Sequence, residues 1–166
     1  VTGSNYGEVK LWRFDGTLQK TLGGHGDYGM IVGIRFSPDG KYFAALNVND
    51  TKNIIVRDRD GNEIFEIPSE HGKNFGAVAF SSDGKYLAHT ANDKIELRRM
   101  DGSLAKTFIG HVGYVNTLAF SSDGKHLISG GDDGTARLWH IASIENAVYT
   151  SDDNEWIMFT PEGLFD

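Results

Sequence analysis

"FSSDGK" stands at Phe80–Lys85 and returns unchanged at Phe120–Lys125, and "FSPDGK" stands at Phe36–Lys41. The phenylalanines lie 44 and 40 residues apart. Two further markers fall between the copies in a fixed order. "KLWRFDG", "IVRDRDG" and "ELRRMDG" end at Gly16, Gly61 and Gly102, and "KTLGGH" (Lys20–His25) is echoed by "KTFIGH" (Lys106–His111). Three markers recurring in one order at one period specify a repeated structural unit.

The last full copy shows what the unit is. "YVNTLAF" (Tyr114–Phe120) alternates as a strand does, "SSDG" turns the chain, and "HLISG" follows. A second turn at Asp132-Asp133-Gly134 leads into "TARLWHI", and "NAVYT" (Asn146–Thr150) reads as a fourth strand. Short β-rich runs broken by Asp-Gly are hairpin signals. In "SPDG", Pro38 suits the second position of a type I turn, and Gly40 can adopt the positive φ that follows it. No segment carries a helical period. One four-stranded sheet cannot bury both faces alone, whereas sheets stacked around an axis bury each other.

Composition agrees. The chain has 166 residues, enough for a sizeable core, with 21 glycines, 3 prolines and no cysteine. The lack of cysteine removes disulfides and thiolate chemistry and fits a reducing compartment, so a cytoplasmic location is expected. No run approaches the ~18 apolar residues of a membrane span, and no secretory leader opens the sequence; no membrane partner is expected. The net charge is −7, and the longest basic cluster is Arg98-Arg99, which argues against nucleic acid as a partner.

A period near 40 to 45 residues, four strands per unit and a Gly-His marker resemble the WD-repeat β-propeller family over nearly the whole chain. The resemblance implies an all-β propeller of four-stranded antiparallel blades, about four in this chain. Residues 1–24 would supply strands two to four of a first blade, 25–70, 71–110 and 111–152 the next three, and 153–166 the first strand of a further or ring-closing blade. The family's Trp-Asp pair is absent, since Arg13 follows Trp12 and His140 follows Trp139. The resemblance also implies a structural hydrogen-bond set of His111, Ser129, Asp133 and Trp139. Sequence alignment places Thr2, Asn47 and Ala88 opposite Ser129, Tyr6, Thr51 and Asn92 opposite Asp133, and Trp12, Arg57 and Arg98 opposite Trp139. Only the last blade then holds the whole set.

That assignment gives Asp132 and Asp133 a turn to build rather than a reaction to catalyse. His25, His71 and His111 occupy the same place in separate units; sheets stack about 10 Å apart, too far for one ion with Zn–N bonds of about 2 Å. "SDDNE" (Ser151–Glu155) lacks the glycine and spaced terminal glutamate of a calcium loop. The Asn49-Asp50-Thr51 triplet matches a glycosylation acceptor only in a secreted protein. No phosphate loop, dinucleotide fingerprint or nucleophile elbow is present. No catalytic residue, metal or cofactor is therefore expected. An active site at the channel mouth would need polar first strands, yet "MIVGIRF", "FGAVAF" and "YVNTLAF" offer only Arg35 and Asn116.

The expected function is a non-catalytic scaffold that binds a protein or peptide. Loops joining strand four to strand one, and strand two to strand three, emerge on one face. That face carries Asp27, Tyr28, Asn49 and Asp50, then Lys73, Asn74, Asn92 and Asp93, then Val112, Tyr114 and Asp132. Tyr28 and Tyr114 are the candidate anchors, since aromatics dominate binding hot spots. "FTPEG" (Phe159–Gly163) aligns with "FSPDG", and "VTGS" at the start aligns with "ISGG" (Ile128–Gly131), so the arc opens inside one blade and ends on the first strand of another. An open arc would leave apolar sheet faces of about 400 Å², the size that marks an interface. Either a longer chain or self-association into an eight-bladed ring would cover them. The tail also resembles segments ending WD-repeat arrays in large bacterial proteins, which implies, as the alternative, a regulatory segment of an enzyme whose peptidase, kinase or nucleotide-hydrolysing domain lies elsewhere.

Overall fold

Three copies of one turn set the architecture. In the first, the Ser37 hydroxyl donates to Asp39 Oδ1 at 2.7 Å and accepts from the Tyr42 amide at 2.9 Å. Asp39 accepts from the Lys41 amide, and the Gly40 amide closes onto the Ser37 carbonyl at 2.9 Å. Ser81, Asp83 and Tyr86 repeat this arrangement, as do Ser121, Asp123 and His126. Gly40, Gly84 and Gly124 hold φ of 69°, 70° and 70°, where a side chain is strained. Each turn aims the following strand back along the preceding one.

A computed structural model describes residues 1–23, 29–48, 52–68 and 76–141, and two short stretches at 159–160 and 163–164. It is all-β, with the strands grouped in antiparallel meanders. The first sheet holds β1 (Thr2–Gly3), β2 (Val9–Trp12) and β3 (Leu18–Leu22). The second holds β4 (Met30–Phe36), β5 (Tyr42–Val48), β6 (Lys52–Asp58) and β7 (Glu63–Pro68). The third holds β8 (Val78–Phe80), β9 (Tyr86–Ala91), β10 (Lys94–Arg99) and β11 (Leu104–Ile109). The fourth holds β12 (Val115–Phe120), β13 (His126–Gly131) and β14 (Ala136–His140). The strand expected at Asn146–Thr150 lies outside the described residues. At the tail, β15 (Phe159–Thr160) pairs with β16 (Gly163–Leu164). Phe159 there faces Leu164, five residues on, whereas Phe36 faces Phe43; the tail hairpin is tighter than its alignment with "FSPDG" predicts.

Strand alternation sends neighbouring residues into different cores. Leu87 joins Leu46, Ile54, Val56 and Ile67 between the second and third sheets. Its neighbour Ala88 joins Leu97, Val115 and Leu127 between the third and fourth. Val9, Leu11 and Leu22 meet Phe43 and Ala45 between the first and second. Each sheet thus shows an outer face to the next sheet and an inner face to the one before. Backbone bonds repeat at the seams: the Ile31 amide donates to Ser4 O at 3.1 Å, and the Val115 amide to Asn92 O at 2.8 Å. Gly76 sits against β12 of the fourth sheet; a Cβ there would lie 2.7 Å from Val115 O.

Candidate functional site

The fourth sheet brings His111, Ser129, Asp133 and Trp139 into one hydrogen-bond chain. The Trp139 indole donates to Ser129 Oγ at 2.8 Å, and Ser129 Oγ lies 2.7 Å from His111 Nε2. His111 Nδ1 lies 2.9 Å from Asp133 Oδ2. One proton assignment satisfies every group: Nδ1–H donates to the carboxylate, Nε2 accepts the serine hydroxyl, and the hydroxyl oxygen accepts the indole. His111 and Ser129 are buried, and the Trp139 ring packs on Phe108 at 5.4 Å between centroids.

Asp133 carries more than the histidine. It accepts the Val112 amide at 3.0 Å, and the Thr135 amide and hydroxyl at 3.0 and 2.8 Å. The Val112 amide is the main reason its carboxyl is held far below the ordinary carboxylate range, with Thr135 and His111 adding to the effect against partial burial. The bond ties the β13–β14 turn to the connection entering β12. Asp132 is exposed and works differently: its amide donates to Tyr114 O at 2.9 Å and its carboxylate accepts from Asn116.

These bonds fix the described part of the expected binding face. Val112 (78% exposed), Tyr114 (44%) and Asp132 gather on the fourth sheet's loop cluster. Asn92 and Asp93 form the adjoining turn of the third sheet, with Asn92 at φ 58° and its carbonyl bonded to the Val115 amide. Asp27, Tyr28, Asn49, Asp50, Lys73 and Asn74 lie outside the described residues, as do His25, His71 and Thr51.

Strand register corrects two alignments made from sequence. Leu127 opposite Trp139 matches Leu87 opposite Arg98 and Phe43 opposite Arg57. Ser129 therefore corresponds to His89 and Ala45, not to Ala88 and Asn47. The serine equivalence to Thr2 stands on a contact, since the Trp12 indole donates to Thr2 Oγ1 at 2.9 Å. The third sheet fills these positions with charge. Buried His89 has its Nε2 3.2 Å from Arg98 Nε and 3.3 Å from Glu96 Oε2, and Arg98 Nη2 donates to Glu96 at 2.6 Å. Bonding to His89, aided by Arg98, lowers the Glu96 carboxyl to about 2. Sequence reading missed this cluster, although His89 follows Phe80 by the nine residues that separate Ser129 from Phe120. In the second sheet Arg57 is buried and donates to Gly23 O at 2.6 Å. Among the described residues no group of three or more His, Cys, Asp or Glu side chains is placed to hold a metal ion.

The WD domain, G-beta repeat model matches residues 16–51 and 102–140. The chain belongs to the WD-repeat family. An uncharacterized WD repeat-containing protein of Synechocystis is 35% identical over 144 residues, 83% of this chain and 40% of that protein. The SIR4-interacting protein SIF2 of Saccharomyces cerevisiae is 30% identical over 84% of this chain and 28% of its own length. The nuclear distribution protein PAC1 of Arthroderma otae is 31% identical over 86% of this chain and 33% of its own. The WD-repeat chain thus spans two fifths or less of the length of these relatives. WD-repeat proteins generally serve as interaction scaffolds, and the four sheets are blades of such a propeller.

Proposed function

We propose that this WD-repeat chain is a non-catalytic docking module that binds a protein or peptide on the face carrying Val112, Tyr114 and Asp132. The observation that carries this reading is the bracing of that face. Exposed apolar groups sit on loops that Asp133, His111 and inter-sheet backbone bonds hold in place, and a preordered surface loses little entropy on binding. The described first strands support a non-catalytic role, because Arg35 turns to the Ile34 carbonyl and Asn116 to Asp132. The length of the relatives supports a larger parent propeller or multidomain protein, and self-association of two copies into an eight-bladed ring is the alternative. A cytoplasmic setting, with neither nucleic acid nor membrane as partner, belongs to the same proposal.

The test begins with affinity capture and mass spectrometry on wild type and a Tyr28→Ala/Tyr114→Ala variant. The partner lost from the variant is then purified and titrated directly. The reading predicts at least a tenfold rise in Kd with an unchanged far-UV circular dichroism spectrum. Equal binding by both forms would refute it.

A further inference from the structure

We propose that the Asp60-Gly61 bond is a site of spontaneous isoaspartate formation, the most reactive of the chain's seven Asp-Gly pairs. The inference is independent of the docking face. An aspartate followed by glycine is open to this reaction because no side chain screens the glycine amide from the neighbouring carboxyl. The Gly61 nitrogen attacks Asp60 Cγ, a C–N bond forms, and the acid hydroxyl leaves with the amide proton as one water. A second water then opens the cyclic imide. Attack at Cγ restores aspartate. Attack at the Asp60 main-chain carbonyl leaves Gly61 joined through Cγ, with the α-carboxylate free. Water is the only co-reactant.

Local hydrogen bonds hold the other six carboxylates. Asp39, Asp83 and Asp123 each accept a serine hydroxyl and a lysine amide within their own turns. Asp133 accepts from Val112, Thr135 and His111. Asp15 and Asp101 are the closest comparisons, because they occupy the place of Asp60 in the β2–β3 and β10–β11 turns. Asp15 Oδ1 accepts the Thr17 amide at 2.9 Å and its hydroxyl at 2.7 Å, and Asp101 Oδ1 accepts the Ser103 amide at 2.8 Å. A carboxylate bonded to the residue two places on cannot swing onto the amide between them without giving up that bond. Bonding to Thr17 and to Ser103 also lowers these two carboxyls, which reduces the neutral acid from which water leaves.

In the β6–β7 turn those bonds go to another residue. Asp58 stands where the other two turns have Arg13 and Arg99, and Asn62 where they have Thr17 and Ser103. Asp58 Oδ1 accepts the Asn62 amide at 2.8 Å and the Asp60 amide at 2.9 Å, and Asp58 Oδ2 accepts the Asn62 side-chain amide at 2.8 Å. Asp60 is exposed, and its carboxylate has no hydrogen-bond partner among the described residues; Lys20 Nζ reaches only its main-chain oxygen, at 3.5 Å. The backbone of the three turns is matched. Gly16, Gly61 and Gly102 hold φ of 83°, 87° and 86°, and their amides close onto the carbonyl three residues back at 3.0, 3.0 and 2.9 Å. The free carboxylate is what sets Asp60 apart. Gly61 packs against Leu22 and Leu11, so the extra backbone carbon of the isomer falls on the seam between the first and second sheets.

The test incubates the folded 166-residue chain in mildly acidic buffer made with heavy-oxygen water, then digests it in ordinary water for mass spectrometry. Each passage through the imide leaves one heavy oxygen, and electron-transfer fragmentation tells isoaspartate from aspartate. Labelling at Asp60 should run about tenfold faster than at Asp15 or Asp101, the factor that one hydrogen bond to a charged group supplies. Asp58→Arg/Asn62→Ser restores the pattern of the β10–β11 turn and should bring Asp60 down to their rate with an unchanged circular dichroism spectrum. Equal labelling at the seven pairs, a faster site elsewhere, or no labelling at all overturns the proposal. So does a folded double variant that labels as fast as wild type. If the double variant does not fold, the ranking of the pairs within wild type decides alone.

Discussion

Asp132 and Asp133 are adjacent, equally acidic and unequal in work. Asp133 lies under the Val112 amide, Thr135 and His111, whereas Asp132 is exposed and bonded to Asn116. A carboxyl lowered by folding adds stability above its unfolded value of about 3.9, and loses it as pH falls through the folded value. Removing that carboxylate should therefore matter most at neutral pH. In urea titrations, Asp133→Asn should lower stability at pH 7, and the gap to wild type should shrink below about pH 4. Asp132→Asn, at an exposed carboxylate bonded to Asn116, should cost less than Asp133→Asn at pH 7, and equal effects from both would contradict the assignment. The serine makes a complementary test. Ser129→Ala leaves the Trp139 indole and His111 Nε2 without their partner in a buried place, a loss of about 1–3 kcal/mol by chemical denaturation. The same substitution at exposed Ser82 should cost under about 0.5 kcal/mol.

At the scale of elements, the Ser-x-Asp-Gly turns divide clearly into what sequence reveals and what it conceals. Their Asp-Gly pairs and the period between them are local features, so the turns and the strands beside them were legible directly. Register was not: aligning Ser129 with Ala88 and Asn47 missed by one and two residues, while the hydrogen-bonded ladder counts positions from the turn and arrives at His89 and Ala45. The His89–Glu96–Arg98 cluster escaped for the same reason, because its members meet across a strand pair. The turn itself yields a prediction. Gly84 holds φ of 70° with nothing nearer a Cβ than Asp39 Oδ2 at 3.7 Å, so Gly84→Ala isolates backbone strain, about 1–2 kcal/mol. Gly23→Ala, with nothing within 4 Å of a Cβ among the described residues and no positive φ, should be nearly neutral in the same thermal melts. Equal losses at the two sites would contradict the turn's role.

The whole molecule is a set of sheets that serve as each other's lids. Three separate apolar clusters, each between consecutive sheets, are what a stacked arc requires. The repeat made this legible before any geometry. The proposed docking face was named from loop order alone, since loops alternate between the two ends of a meander. The chemistry of a partner was not legible, because a docking surface is defined by what it meets.

Methyl-to-methyl nuclear Overhauser spectroscopy tests the stacking most directly. Leu87 and Leu97 sit on neighbouring strands of one sheet and face opposite ways. The Leu87 methyls should show cross-peaks to Val56 and Ile67, and the Leu97 methyls to Val115 and Leu127. A two-layer sandwich with one shared core would instead place Leu87 and Leu97 among common neighbours, or leave one of them facing water, and either pattern would contradict the arc.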